Sequence, residues 1–101
     1  MRSREPLHAK FKELLSSENI YYQAPESQKM EYPCIRYSVN EIKSKKADNI
    51  NYTNTKGYTV IVISKKPDNP VIDKILEMPM SSFDRHYVSD NLNHDVIKLF
   101  Y

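Results

Sequence analysis

Apolar and polar positions recur along this chain with two periods, and the switches between them outline its elements. In "REPLHAKFKELLSS", residues 4–17, Leu7, Phe11, Leu14 and Leu15 fall on one helical stripe while His8, Lys10, Lys12 and Glu13 mostly point elsewhere. The spacing predicts a helix from near Glu5 to near Ser17, with Pro6 in its first turn, Ser3 as its cap and His8 facing solvent. "NIYYQ", 19–23, predicts a short strand, and "APESQKMEYP" a loop. In "CIRYSV", 34–39, Ile35, Tyr37 and Val39 alternate with Cys34, Arg36 and Ser38, the period of a strand with one buried face. "YTVIVIS", 58–64, is apolar on both faces and predicts a central strand. Asn69 and Pro70 then supply a cap and a first-turn proline for the short helix "PVIDKILEM", which buries Val71, Ile72, Ile75 and Leu76 until Pro79 stops it.

The last third predicts two strands. "SFDRHYVS", 82–89, sets Phe83, Arg85 and Tyr87 on one face and Asp84, His86 and Val88 on the other. "VIKLFY", 96–101, sets Ile97, Leu99 and Tyr101 opposite Val96, Lys98 and Phe100, and "DNLNHD" forms the turn between them. Residues 40–57, "NEIKSKKADNINYTNTKG", are polar and weakly patterned; a structureless stretch of that length is unusual in a compact domain, so it reads as an extended loop or a protruding hairpin. Gly57, the sole glycine, marks a bulge or tight bend before the central strand. The expected fold class is α+β: one mixed or mainly antiparallel sheet with two helices on one face, in a single domain covering 1–101.

Composition changes this picture in three ways. Eight tyrosines and three phenylalanines supply rings that can be half in a core and half in a partner surface. Cys34 is the single cysteine, which excludes an internal disulfide and a thiolate metal cluster; it reads as a small buried hydrophobe. Charge divides along the chain: residues 1–66 carry twelve Lys and Arg against seven acids, and 67–101 carry three against six. A nucleic-acid binder more often gathers its charge into one field, whereas opposite ends suit head-to-tail contacts. No apolar run approaches 20 residues and the amino terminus lacks a signal-like apolar stretch, so the expectation is synthesis in the cytoplasm and no membrane.

The densest candidate chemistry is "SSFDRHYVSDNLNHD", with Asp84, His86, Asp90, His94 and Asp95. Asp84 and His86 on one strand face, opposite His94 or Asp95, have the donor types of a two-histidine carboxylate metal site. Their spacing matches no zinc motif, and the chain contains neither HExxH nor a glycine-rich phosphate loop. The plainer reading is a polar strand face with turn bonds from Asp90 and Asn91, and it leads to an expectation of no catalytic residue, no metal and no cofactor. The residues put forward as subunit or partner contacts are Lys43, Lys45, Lys46, Tyr52 and Lys56 in the 40–57 segment, with Asp84, Arg85, His86 and Asp90 in the closing strands.

Four blocks, "EYPCIRYS", "KKADNINY", "GYTVIVISKKPDNPVIDKILEMP" and "SSFDRHYVSDNLNHDVIKLFY", resemble the small tail-completion and tail-terminator proteins of phages infecting Gram-positive bacteria, also labelled head–tail joining or minor capsid proteins. The resemblance covers Tyr21 to Tyr101, and its most specific blocks are Ala47-Asp48-Asn49, Pro67-Asp68 and "SFDRHYVSDNLNH". It implies a sheet flanked by helices that self-associates into a ring, hexameric in such proteins, and that sits on the finished tail tube. The implied partners are the major tail tube protein and a head-completion or connector protein, with phage DNA passing through and no sequence-specific binding. The implied location is the host cytoplasm during assembly and then the virion. The alternatives are a connector or tube-associated protein that does not terminate the tube, and a small phage nucleic-acid-binding protein.

Overall fold

In a computed structural model the chain folds as one five-stranded sheet with two helices. The structure describes residues 4–23, 29–47, 50–67 and 69–101, with backbone alone for 41–47 and 50–55. The expected Ser3 cap, and Asp48, Asn49 and Asp68 of the family-like blocks, lie outside the described residues.

Helix α1 spans Glu5–Leu15 and turns Leu7 and Phe11 fully inward, as its stripe predicts. It ends where Ser16 takes a left-handed conformation, φ 56°, and closes the last turn through its N–H to Lys12. Strands β1 (Ile20–Tyr22), β2 (Cys34–Ala47) and β3 (Ile50–Ser64) follow, then helix α2 (Val71–Leu76) and strands β4 (Ser81–Ser89) and β5 (Leu92–Phe100). The Asn69 side-chain oxygen accepts the Val71 N–H at 3.0 Å, the cap that Asn-Pro predicts, and Val71 and Ile75 are buried behind it. Spatial order in the sheet is β1-β2-β3-β5-β4, with β1 parallel to β2 and every other pair antiparallel.

Register explains why one face holds the core. Ile35 pairs with Val62, Tyr37 with Val60, Val60 with Ile97 and Tyr58 with Leu99, so these side chains share a face. Leu7 and Phe11 of α1 and Val71 and Ile75 of α2 complete the same cluster, so both helices cover that face. Four rings meet Tyr37 there, with Tyr22 at 4.9 Å, Phe11 at 5.1 Å, His8 at 5.7 Å and Tyr58 at 5.9 Å between centroids. Cys34 is buried on the other face, and burial pushes its thiol pKa up to about 11.

Of the two readings of the 40–57 segment, the hairpin is the one found: through residues 47 and 50, β2 and β3 run on as a two-stranded arm, with Lys43 opposite Thr55 and Ala47 opposite Ile50. Three other expectations need correction. The bulge near Gly57 exists, but its extra residue is Asn40 on the facing strand, and Gly57 itself has no positive φ. Asn40 donates to the Thr59 hydroxyl at 2.7 Å. The turn after β4 is only Asp90-Asn91, both with φ above 50°, so Asn93, His94 and Asp95 belong to β5. Short polar side chains tolerate that left-handed pair, which matches the twist of a tight hairpin. Finally, Asp84 is the extra residue of a bulge: Phe83 faces Ile97 while Arg85 faces Val96. Strict alternation therefore fails, and Phe83 joins His86 and Val88 on the helix-covered face while Arg85 and Tyr87 share the other.

Candidate functional site

The bulge and the early start of β5 divide the polar cluster between two faces. His86 sits opposite Asp95, and Nδ1 lies 2.8 Å from the carboxylate, which is 6 % exposed as a residue. One residue later, Tyr87 sits opposite His94 on the reverse face, their rings stacked 4.6 Å apart at 9°. His86 and His94 therefore project from opposite sides of the sheet and cannot hold one ion between them. Among the described residues no group of three His, Cys, Asp or Glu side chains is placed to ligate a metal.

His86 and Asp95 border an open groove of about 470 Å³, with Ile72, Leu76 and Phe83 as its apolar wall and Asn69 and Asp73 at its polar rim. A histidine held by a carboxylate has a fixed ring orientation and is two parts of a proton relay. The described lining of the groove offers no hydroxyl or thiol for it to activate. A second hollow of about 450 Å³ shares Pro67 and Asn69 and runs on past Tyr32, Pro33, Lys65 and Lys66.

The other conspicuous surface is β4. Met80 is 66 % exposed, Phe83 48 %, Tyr87 38 % and Val88 63 %, and these are the exposed large apolar side chains among the described residues. All four lie on β4 or immediately before it, at the edge of the sheet. Asp84 and Arg85 form an exposed ion pair at 3.2 Å, and the Arg85 guanidinium lies 5.9 Å from the centre of the Tyr87 ring. Of the candidate contacts, Asp84, Arg85, His86 and Asp90 thus lie along one exposed edge hairpin. Lys43, Lys45 and Lys46 lie on the β2 side of the arm and Tyr52 on its β3 side; their side chains are outside the described residues. Lys56 stands at the base of the arm, where its carbonyl accepts the Tyr101 N–H at 2.9 Å. The two groups occupy different parts of the molecule.

Sequence reasoning missed the exposed apolar side chains of β4 because it divided the strand between two faces by strict alternation without saying which is covered. The available signal was the polar interleaving by Asp84, Arg85 and His86, more typical of an edge strand than an interior one. It also placed His8 in solvent. His8 is half-buried instead, with Nδ1 2.7 Å from the Tyr37 hydroxyl, which also accepts from Arg4 at 3.2 Å.

The chain matches no protein-family profile and no curated protein. Among the described residues no helix is long and apolar enough to cross a membrane.

Proposed function

We propose that this chain is a non-enzymatic virion protein of a tailed phage, a tail-terminator-like subunit that caps the tail tube as a ring and presents the surface to which the head attaches. The observation that carries the reading is the gathering of Met80, Phe83, Tyr87 and Val88 on one edge of the sheet. Exposed apolar side chains spread along one edge strand and interleaved with Asp84, Arg85 and His86, with Asp90 at its end, suit a protein contact. Closed rings above a dimer need two unlike patches on each subunit, and the arm and the β4 edge are unlike in shape and in sequence charge. The resemblance of the blocks from Tyr21 to Tyr101 supplies the context, and a sheet with both helices on one face is compatible with it.

On this reading the mechanism is steric and interfacial. The ring covers the growing end of the tube protein and replaces it with a surface that a head-completion or connector protein recognises. Asp84, Arg85, His86 and Asp90 fix register, while Lys43, Lys45, Lys46, Tyr52 and Lys56 supply the basic partner surface. Those lysines also tolerate DNA passing through the ring without reading its bases. The His86–Asp95 pair acts as a structural hydrogen bond, and no cofactor or metal enters the scheme.

Electron microscopy of phage particles made without this protein tests the proposal. Tubes of runaway length are the expected result. Tails of normal length that fail to join heads would instead assign a connector role without termination, and normal virions would overturn both. Tight, steeply salt-dependent DNA binding by the purified chain would favour a nucleic-acid-binding protein.

A further inference from the structure

We propose that neighbouring copies join by strand addition, the β2–β3 arm of one subunit lying along the free edge of β4 in the next. The inference rests on the ring reading above and specifies its contact.

The acceptor is an edge whose protection is gathered near its start, at the Asp84 bulge and its ion pair with Arg85. The opposite edge of the sheet, β1, is only three residues long, a length that discourages further pairing. β4 is nine residues long, contains neither proline nor lysine, and has its one bulge near its start, at Asp84. From Arg85 to Ser89 it pairs in regular register with β5 on one side only. Its outer row of N–H and C=O groups is a template for another strand, and Phe83 and Val88 on the same edge add apolar contact.

The donor is the arm. β1 covers β2 only at residues 35–37, and β5 covers β3 no further than Gly57. Beyond the Asn40 bulge, residues 41–47 and 50–56 pair with each other and with no third strand among the described residues. A two-stranded ribbon is marginal in water, and a third strand is what stabilises it. The arm cannot reach β4 of its own subunit, because it leaves the sheet at the end where Gly57 meets Phe100 and runs away from it. Its projection is visible in the dimensions, 51 × 26 × 23 Å with a radius of gyration of 14.6 Å, against about 13 Å for a compact chain of this length.

Donor and acceptor fit. Seven residues on each side of the arm span about 23 Å, and the nine of β4 about 30 Å. Lys43, Lys45, Lys46 and Lys56 outnumber Glu41 and Asp48 in the arm, and the acids at the acceptor are Asp84 at its bulge and Asp90 in its turn. Each subunit has one donor and one acceptor to spare, which is head-to-tail association.

Hydrogen exchange of the full chain, free and bound to purified tail tubes, reads this contact. Residues 81–89 and 41–56 should exchange at least about tenfold more slowly when assembled, with α1 unchanged. Alongside it, Val88→Cys subunits are mixed with Ser44→Cys, Thr53→Cys or Thr55→Cys subunits and oxidised on the tubes; at least one mixture should give an arm-to-β4 disulfide. Assembly with β4 exchanging as in the free chain would overturn strand addition and leave the ring reading standing. Protection of β4 with only Val88-to-Val88 links, or with no link between copies, would also overturn it, in favour of self-paired edges or a strand from the tube protein. Failure to assemble on tubes at all would sink the ring reading itself.

Discussion

Tyr37 and Tyr58 are neighbours in the core, yet their hydroxyls are treated oppositely. Tyr37 accepts from Arg4 and shares a second hydrogen bond with His8 Nδ1, whose direction follows the imidazole tautomer. Tyr58 Oη is buried with no partner among the described residues. Removing the unsatisfied oxygen in Tyr58→Phe should leave stability unchanged or slightly raised, whereas Tyr37→Phe should cost about 1–2 kcal/mol by orphaning two partners. Denaturant titrations that rank them the other way would refute this assignment. His8 adds a pH dependence. Burial first, then the nearby charges of Lys12 and Arg4, lower its pKa below the ordinary 6.5. The folded chain therefore binds this proton less readily than the unfolded one. The stabilisation is complete above the unfolded pKa and is lost as pH falls through the lower folded value. The melting temperature should fall between pH 7 and pH 5, and fall less in His8→Gln; identical slopes would remove His8 from the account. None of this relay was legible in the sequence, because His8 and Tyr37 are 29 positions apart and local periodicity sees only the helix stripe.

Elements were legible where pattern and punctuation agreed. The α1 stripe, the β3 run and the Asn69-Pro70 start of α2 all sit where the spacing puts them. Asn69→Ala should destabilise the fold by about 1 kcal/mol in chemical denaturation, and no change would mean the cap at Val71 is not contributing. Legibility failed where the determinant was a pairing. "DNLNHD" looks like a six-residue polar turn, but Asn93 faces Ser64 and Val88, and Asp95 faces Val62 and His86, so cross-strand partners make those residues strand. The Asp84 bulge has no composition signal, yet it brings Phe83 to the face of His86, while the two-residue turn sets His86 opposite Asp95 and so separates it from His94. In the arm, the pairing of two polar strands supplies what apolar alternation did not announce.

For the whole molecule, the coarse class was readable: α+β, one mostly antiparallel sheet, two helices. What sequence did not reveal was the distribution of surface, with apolar side chains drawn to the β4 edge and a basic arm leaving from the other strands. Those two features make the account one of docking, and it depends on both being covered in the assembled particle. Electron cryomicroscopy of the neck of the intact virion, at a resolution that traces strands, tests that most directly. The account predicts a closed ring of this chain at the head-proximal end of the tail tube, with β4 buried in each subunit. Density for the chain elsewhere in the particle, or a ring in which Phe83 and Val88 remain in solvent, would contradict it.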